Sequence, residues 1–253
     1  MRILLKLKAE KDCSYDLKYF NKLQGFLYNI IKESEYSALH DKKGYKFFCF
    51  SNIFPIGDIK TNDKRKLIIS SPDKFFIKIL GKKLEELASG SKPINIGEML
   101  FRIENIETIE VKMNGGFKII SATPIIIRIP AKHYEKYGIP QEFKKNRYVY
   151  WIKEYPVESF IKQLNDNLFK KYNEFYRKDI EEFYLFEKLN FKKEIWSHIN
   201  INEREIKMVG SIWEFMFSSL SKEQKEILEF GLDCGLGERN TLGFGFVNVI
   251  KCN

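Results

Sequence analysis

The sequence predicts an α+β protein built from two tandem ferredoxin-like (β-α-β-β-α-β) units, each with an antiparallel sheet. Three observations predict it. Period-2 and period-3.6 apolar patterns succeed one another in that order over residues 1–111. The order begins again after Asn114-Gly115-Gly116. A chain of 253 residues is long enough for two small domains, expected at 1–115 and 116–253.

In the first half, residues 1–10 alternate from Ile3 onward and read as a strand. Leu23, Phe26, Leu27, Ile30 and Ile31 fall at the spacing of one buried helical face. Residues 45–53 and 66–70 are strand-like, with the polar turn 58–63 between them. Ser71-Pro72-Asp73 starts a second helix, carried by Phe75, Phe76, Ile79, Leu80, Leu84 and Leu87 and ended by Gly90. Residues 94–111 return to strand character. In the second half, residues 117–129 read as a strand, and Val157, Phe160, Ile161, Leu164 and Leu168 as a helical stripe. Residues 183–199 and 205–217 are β-rich. Ser221-Lys222-Glu223-Gln224 is a capping box opening a helix through Leu232, and residues 242–250 close as a strand.

Composition narrows the function. The chain is 44% hydrophobic and 30% charged, which places it among ordinary globular proteins rather than disordered ones. No apolar run reaches the roughly 18 residues of a membrane span. The charged residues Arg2, Lys6 and Lys8 argue against a signal peptide. Cys13, Cys49, Cys234 and Cys252 form neither a disulfide framework nor a C-x-x-C zinc pair, so a reducing, cytoplasmic setting is expected. With 43 Lys and Arg against 34 Asp and Glu, the net charge is +9. Residues 1–115 hold 21 basic and 15 acidic residues and the remainder 22 and 19, so both halves are basic. Such an excess favours a polyanionic partner, because phosphate contacts release condensed counterions.

Two segments could meet that partner. Across 128–153, Arg128, Lys132, Lys136, Lys144, Lys145, Arg147 and Lys153 interleave with His133, Tyr134, Tyr137, Phe143, Tyr148, Tyr150 and Trp151, the pattern of a nucleic-acid-facing loop. The bland alternative is an exposed Lys-rich connection. Further on, Gly235, Gly237, Gly243 and Gly245 flank a short polar run in G-L-G-E-R-N-T-L-G-F-G. A helix precedes this motif and a strand follows it, which excludes a dinucleotide fingerprint. Its backbone amides, with Arg239 and Asn240, could seat a phosphate; alternatively it is a glycine-rich connection with a bulged final strand.

The paired glycines running into a hydrophobic last strand resemble the C-terminal signature of the CRISPR repeat-processing endoribonucleases, the Cas-six family of the repeat-associated mysterious protein superfamily. Leu23-Gln24-Gly25-Phe26-Leu27-Tyr28-Asn29, followed by His40, Gly44 and Lys46, resembles archaeal members. The resemblance implies tandem RRM-like domains and metal-independent cleavage of precursor CRISPR RNA within each repeat. The ends left would be a 2′,3′-cyclic phosphate and a 5′-hydroxyl. It also implies CRISPR repeat RNA as partner, effector-complex subunits as further partners, a monomer or homodimer, and no cofactor.

The residues fit that chemistry. Cleavage by the neighbouring 2′-hydroxyl needs a proton removed, a leaving oxygen protonated and phosphorane charge stabilised. Tyr28 sits off the apolar stripe of its helix, suited to activating or orienting the 2′-hydroxyl. His40, outside any apolar period, is suited to proton transfer, since imidazole is the side chain that titrates near neutrality. Lys46, among aromatics, is suited to the phosphate. Three histidines and no acidic cluster at ligand spacing leave no expected metal site. His133 is a rival RNA contact, and His198 reads as structural. Two other readings remain: a non-catalytic guide-RNA-binding subunit of an effector complex, and a small-molecule-binding tandem ferredoxin-like regulator with an apolar pocket.

Overall fold

In a computed structural model, all residues are described except 17, 18, 91, 114–116, 144, 202, 203, 252 and 253. Strand β1 (Arg2–Ala9) buries Ile3, Leu5, Leu7 and Ala9 in alternation, as its period requires. It is the central strand of a five-stranded antiparallel sheet. Helix α1 (Phe20–Ile31) buries Leu23, Leu27 and Ile31, and helix α2 (Lys74–Ser89) buries Phe76, Ile77, Leu80 and Leu84. The Asp73 carboxylate accepts from the Phe75 and Phe76 amides, satisfying two donors that the first turn leaves open.

The other strands are β2 (Cys49–Phe50), β3 (Lys64–Ser70), β4 (Ile94–Ile96) and β5 (Met99–Ile109). Their order is β2-β3-β1-β5-β4. With β5 as the fourth strand, this is the ferredoxin-like arrangement carrying one extra edge strand. The second sheet uses β6 (Phe117–Ser121), β9 (Lys188–Ile201), β10 (Arg204–Phe217) and β11 (Val247–Lys251), in the order β11-β6-β10-β9. The same fourth-first-third-second order results, with α3 (Val157–Tyr176) and α4 (Lys222–Cys234) as its helices. Ser221 and Gln224 form the expected capping box. The fold is therefore two ferredoxin-like sheets in tandem. The boundary expected at Gly115 falls in 114–116, outside the described residues.

Several sequence expectations are corrected. The strand read over 45–53 contracts to Cys49–Phe50, because Phe47 adopts a left-handed φ of 50°. The strand over 94–111 is a hairpin, turned at Gly97. The strand over 117–129 stops at Ser121 and resumes only as the short β7 (Arg128–Pro130), paired with β8 (Tyr148–Tyr150). The closing strand starts at Val247, not Leu242. Gly243 and Gly245 have φ of 81° and 73°, which no strand ladder accommodates.

The basic–aromatic segment 128–153 divides between core and cleft. Tyr134, Tyr137, Val149 and Trp151 are buried in the core of the second half. Trp151 and Phe160 each pack against Trp213, with ring centroids 5.5 and 4.3 Å away. Tyr134, Tyr137 and Trp151 serve packing, whereas Tyr148 is exposed and lines the cleft.

The two sheets are clasped together. Buried Arg2 donates to the carbonyls of Leu232 and Val247 at 2.8 and 2.9 Å and to Asn248 Oδ1 at 2.8 Å. Its guanidinium lies 4.8 Å from the Phe246 ring centre. Phe20 stacks on Phe244, and Cys49 Sγ approaches the Phe244 carbonyl at 3.3 Å. Both halves contribute walls to a cleft of about 1070 Å³.

Candidate active site

Lys46 lines the cleft, and behind it α1 presents Tyr28 beside its buried stripe. The ring is half-buried, edge-on to Phe48 and part of the N-terminal core, so Tyr28 is less outward than its helical angle suggested. After α1 the chain passes through a 3-10 turn at Ser37–Leu39 and reaches His40. Lys46 Nζ then donates to the His40 carbonyl at 2.6 Å, closing the 40–46 loop, and to Tyr28 Oη at 3.1 Å. The His40 ring stands edge-on to Tyr28, with centroids 5.0 Å apart. Tyr28, His40 and Lys46 thus share one corner, although 18 residues separate the first from the last.

The electrostatics give each group a distinct character. Burial pushes the Tyr28 phenol up to about 12, opposed by the Thr241 hydroxyl, so it remains protonated at neutral pH. Desolvation lowers the Lys46 ammonium below the ordinary lysine value, opposed by Asp41. The His40 side chain is 67% exposed, and its Nδ1 lies 2.7 Å from Asp41 Oδ1. An ionised carboxylate only accepts, so Nδ1 carries the hydrogen of this contact. An imidazole, a protonated phenol and an ammonium therefore stand side by side.

The cleft wall from the second half carries Arg128, Arg147, Lys170 and Arg239. Arg147 and Arg239 are exposed. Arg128 is tied to Glu238 and lies over the Tyr148 ring at 4.4 Å, so its charge is partly neutralised. Lys132 and Lys145 are exposed but do not line the cleft, and Lys144 lies outside the described residues. His133 packs near Tyr137, where burial lowers its pKa, and His198 on β9 pairs with Glu205 at 3.4 Å.

The glycine motif has a different task from the phosphate seat expected of it. Gly235, Gly243 and Gly245 donate their amides to the carbonyls of Gly231, Asn240 and Pro124. A side chain at Gly243 would enter the Phe50 ring, and one at Gly245 would enter the Leu236 carbonyl. Asn240 donates to the Leu236 and Phe244 carbonyls at 3.1 and 2.9 Å, so its amide hydrogens are taken inside the loop. Gly237 also faces protein, at the Ile126 carbonyl. Arg239 is the exposed charged donor of the loop.

Sequence reasoning missed the residue that holds this loop. Lys171 on α3 is buried, and its Nζ donates to Gly235 O at 3.0 Å, Gly237 O at 2.5 Å and Asn240 Oδ1 at 2.6 Å. All three ammonium hydrogens are thereby satisfied. The signal was present, since Leu164, Leu168 and Lys171 share one helical face and a lysine there needs buried acceptors. Thr241 was also missed. It accepts from Gln24 Nε2 through its carbonyl at 2.9 Å and its hydroxyl at 3.0 Å, joining the loop to α1.

Among the described residues, no group of three or more His, Cys, Asp or Glu side chains could hold a metal ion, and no helix is long and apolar enough to cross a membrane.

Comparison with known proteins places this geometry in a family. Residues 107–249 match the family model described as CRISPR associated protein Cas6, C-terminal. CRISPR-associated endoribonuclease Cas6 2 of Methanocaldococcus jannaschii is 29% identical over 259 residues, covering 99% of this chain and 100% of that protein. The Cas6 endoribonuclease of Haloferax mediterranei is also 29% identical, over 99% of this chain and 94% of its own length. A solved Cas6-related structure from Pyrococcus furiosus superposes with a TM-score of 0.73 at 22% identity, over 100% of this chain and 99% of that one. Its likeness concerns the fold, whose double sheet it shares. With the family model covering more than half of its length, the chain belongs to the Cas6 family.

Proposed function

We propose that this protein is an endoribonuclease that cleaves CRISPR repeat RNA without a metal ion, leaving a 2′,3′-cyclic phosphate and a 5′-hydroxyl. The observation that carries the reading is the corner in which Lys46 Nζ lies 3.1 Å from Tyr28 Oη with the His40 ring beside them. His40 Nε2 takes the proton of the 2′-hydroxyl as its oxygen attacks phosphorus. The bond from phosphorus to the 5′-oxygen breaks, and the His40 imidazolium gives the proton it took to that oxygen, which leaves as the 5′-hydroxyl. Lys46 faces the negative charge that builds on the phosphorane. Tyr28, kept protonated by burial, donates a hydrogen bond and is not the base.

The cleft favours this reading over the two others. A guide-RNA-binding subunit has no need of converging His, Tyr and Lys side chains. A small-molecule regulator calls for an apolar pocket, whereas this wall carries Arg128, Arg147, Lys170 and Arg239. The test is cleavage of a repeat RNA transcribed from the CRISPR array of the same genome. Cutting should persist in EDTA and vanish when the scissile nucleotide carries 2′-deoxyribose. Cleavage that survives the deoxy substitution rejects the mechanism.

A further inference from the structure

Three side-chain amides line the cleft with a polar atom that no partner meets: Asn21 on α1, and Gln163 and Asn167 on α3. Asn21 Oδ1, Gln163 Nε2 and Asn167 Oδ1 are each shielded from solvent without a hydrogen bond to the described residues. A buried amide left in that state is costly, and a ligand that supplies the missing partner recovers the loss. Gln163 and Asn167 are four positions apart, which puts them one turn apart on the same face of α3. Their terminal torsions are soft, so either amide can turn toward an occupant. The Tyr148 ring, 36% exposed, belongs to the same cleft and offers a surface on which a base can stack. Asp166, the carboxylate on this wall, is engaged by Lys162.

We propose that Gln163 and Asn167 read an unpaired adenine of the RNA, and that this pair sets which nucleotide the cleft accepts. Gln163 Nε2 is a donor and Asn167 Oδ1 an acceptor, so together they fit a base edge that carries an acceptor beside a donor. Adenine offers that combination on two edges, N1 with the 6-amino group and N7 with the same amino group. Guanine, cytosine and uracil offer it on the Watson–Crick edge alone. The cleft has room for a base beside the nucleotide that meets Lys46, because about 1070 Å³ exceeds what one drug-sized ligand fills. The amides carry no charge. Their contribution is therefore to selection, whereas Arg147 and Lys170 on the same cleft supply a grip that salt weakens and sequence does not alter.

The proposal rests on the reading of the cleft as an RNA site, and a binding measurement separates it from the reading of the protein as a nuclease. Fluorescence anisotropy with labelled hexanucleotides at low salt should give a Kd for hexaadenylate about tenfold below those for hexauridylate and hexacytidylate. A hexamer of purine riboside, which keeps N1 and N7 but lacks the 6-amino group, should bind no better than hexauridylate. Gln163→Leu and Asn167→Leu should each erase the preference for hexaadenylate and leave the Kd for hexauridylate unchanged. Equal Kd values for all the hexamers on the unaltered protein overturn the proposal, and so does purine riboside bound as tightly as adenine; neither result depends on a variant that folds. A preference that survives both substitutions overturns it as well. So does a Kd that weakens equally for hexaadenylate and hexauridylate in Asn167→Leu, because the amide would then hold the backbone. If the adenine preference and its loss are found while the repeat RNA is left uncut, the nuclease reading fails and the adenine site stands.

Discussion

Two loops meet at the cleft, each organised by one lysine, and they solve opposite problems. Lys46 closes the 40–46 loop with a bond to the His40 carbonyl and keeps a partly solvated ammonium beside Tyr28. Lys171 is buried, with all three hydrogens on acceptors of the 235–245 loop. A lysine with open bonding capacity can meet a new charge. A lysine with none can only hold what surrounds it. Residue type therefore does not separate chemistry from architecture here; the number of satisfied donors does.

That contrast is testable. His40→Ala removes the free imidazole nitrogen of the first loop and should slow cleavage about a thousandfold while RNA binding persists, read by single-turnover rate and Kd. An unaltered rate would remove the 40–46 loop from the chemistry. Lys171→Met should act on folding instead. It leaves Gly235 O, Gly237 O and Asn240 Oδ1 buried without their donor, costing about 3 kcal/mol in urea unfolding. Full stability in that variant would mean the second loop does not depend on its lysine.

The pH dependence sharpens the difference further. Desolvation sets the Lys46 pKa below the ordinary 10.5, so its charge is present at neutral pH and lost earlier than usual as pH rises. The rate should fall on an alkaline limb that begins below 10.5, and Lys46→Arg should move that limb upward, since guanidinium stays charged. An identical limb in both proteins would assign it to another group. The smallest effect concerns the cleft wall. Arg147→Ala should reduce the salt dependence of RNA binding by about one unit of slope in log Kd against log salt, and Lys145→Ala, off the wall, should leave it unchanged.

Much of the fold was legible before the structure. The strand of 2–9, the helix started by Asp73 and the capping box at Ser221 are local patterns whose causes lie within a few residues. Tyr28, His40 and Lys46 are marked out by the family resemblance of the residue 23–46 segment, to which the local pattern adds little. In the 128–153 segment, interleaved Lys and Tyr look alike whether the rings face bases or a core. Only the packing of Trp151 on Trp213 distinguishes the two.

By itself, the sequence determined the order of strands and helices and the basic balance of both halves. These depend on periodicity, capping and residue chemistry, which act over short range. Tertiary structure alone decided that the glycine motif packs against Phe50 and Lys171, that Thr241 bonds Gln24 on α1, and that Arg147 and Arg239 line the same cleft as Lys46. Those pairings join residues more than a hundred positions apart or donors to backbone carbonyls. No local pattern encodes them, because which carbonyl a buried ammonium meets depends on how two separate sheets are clasped.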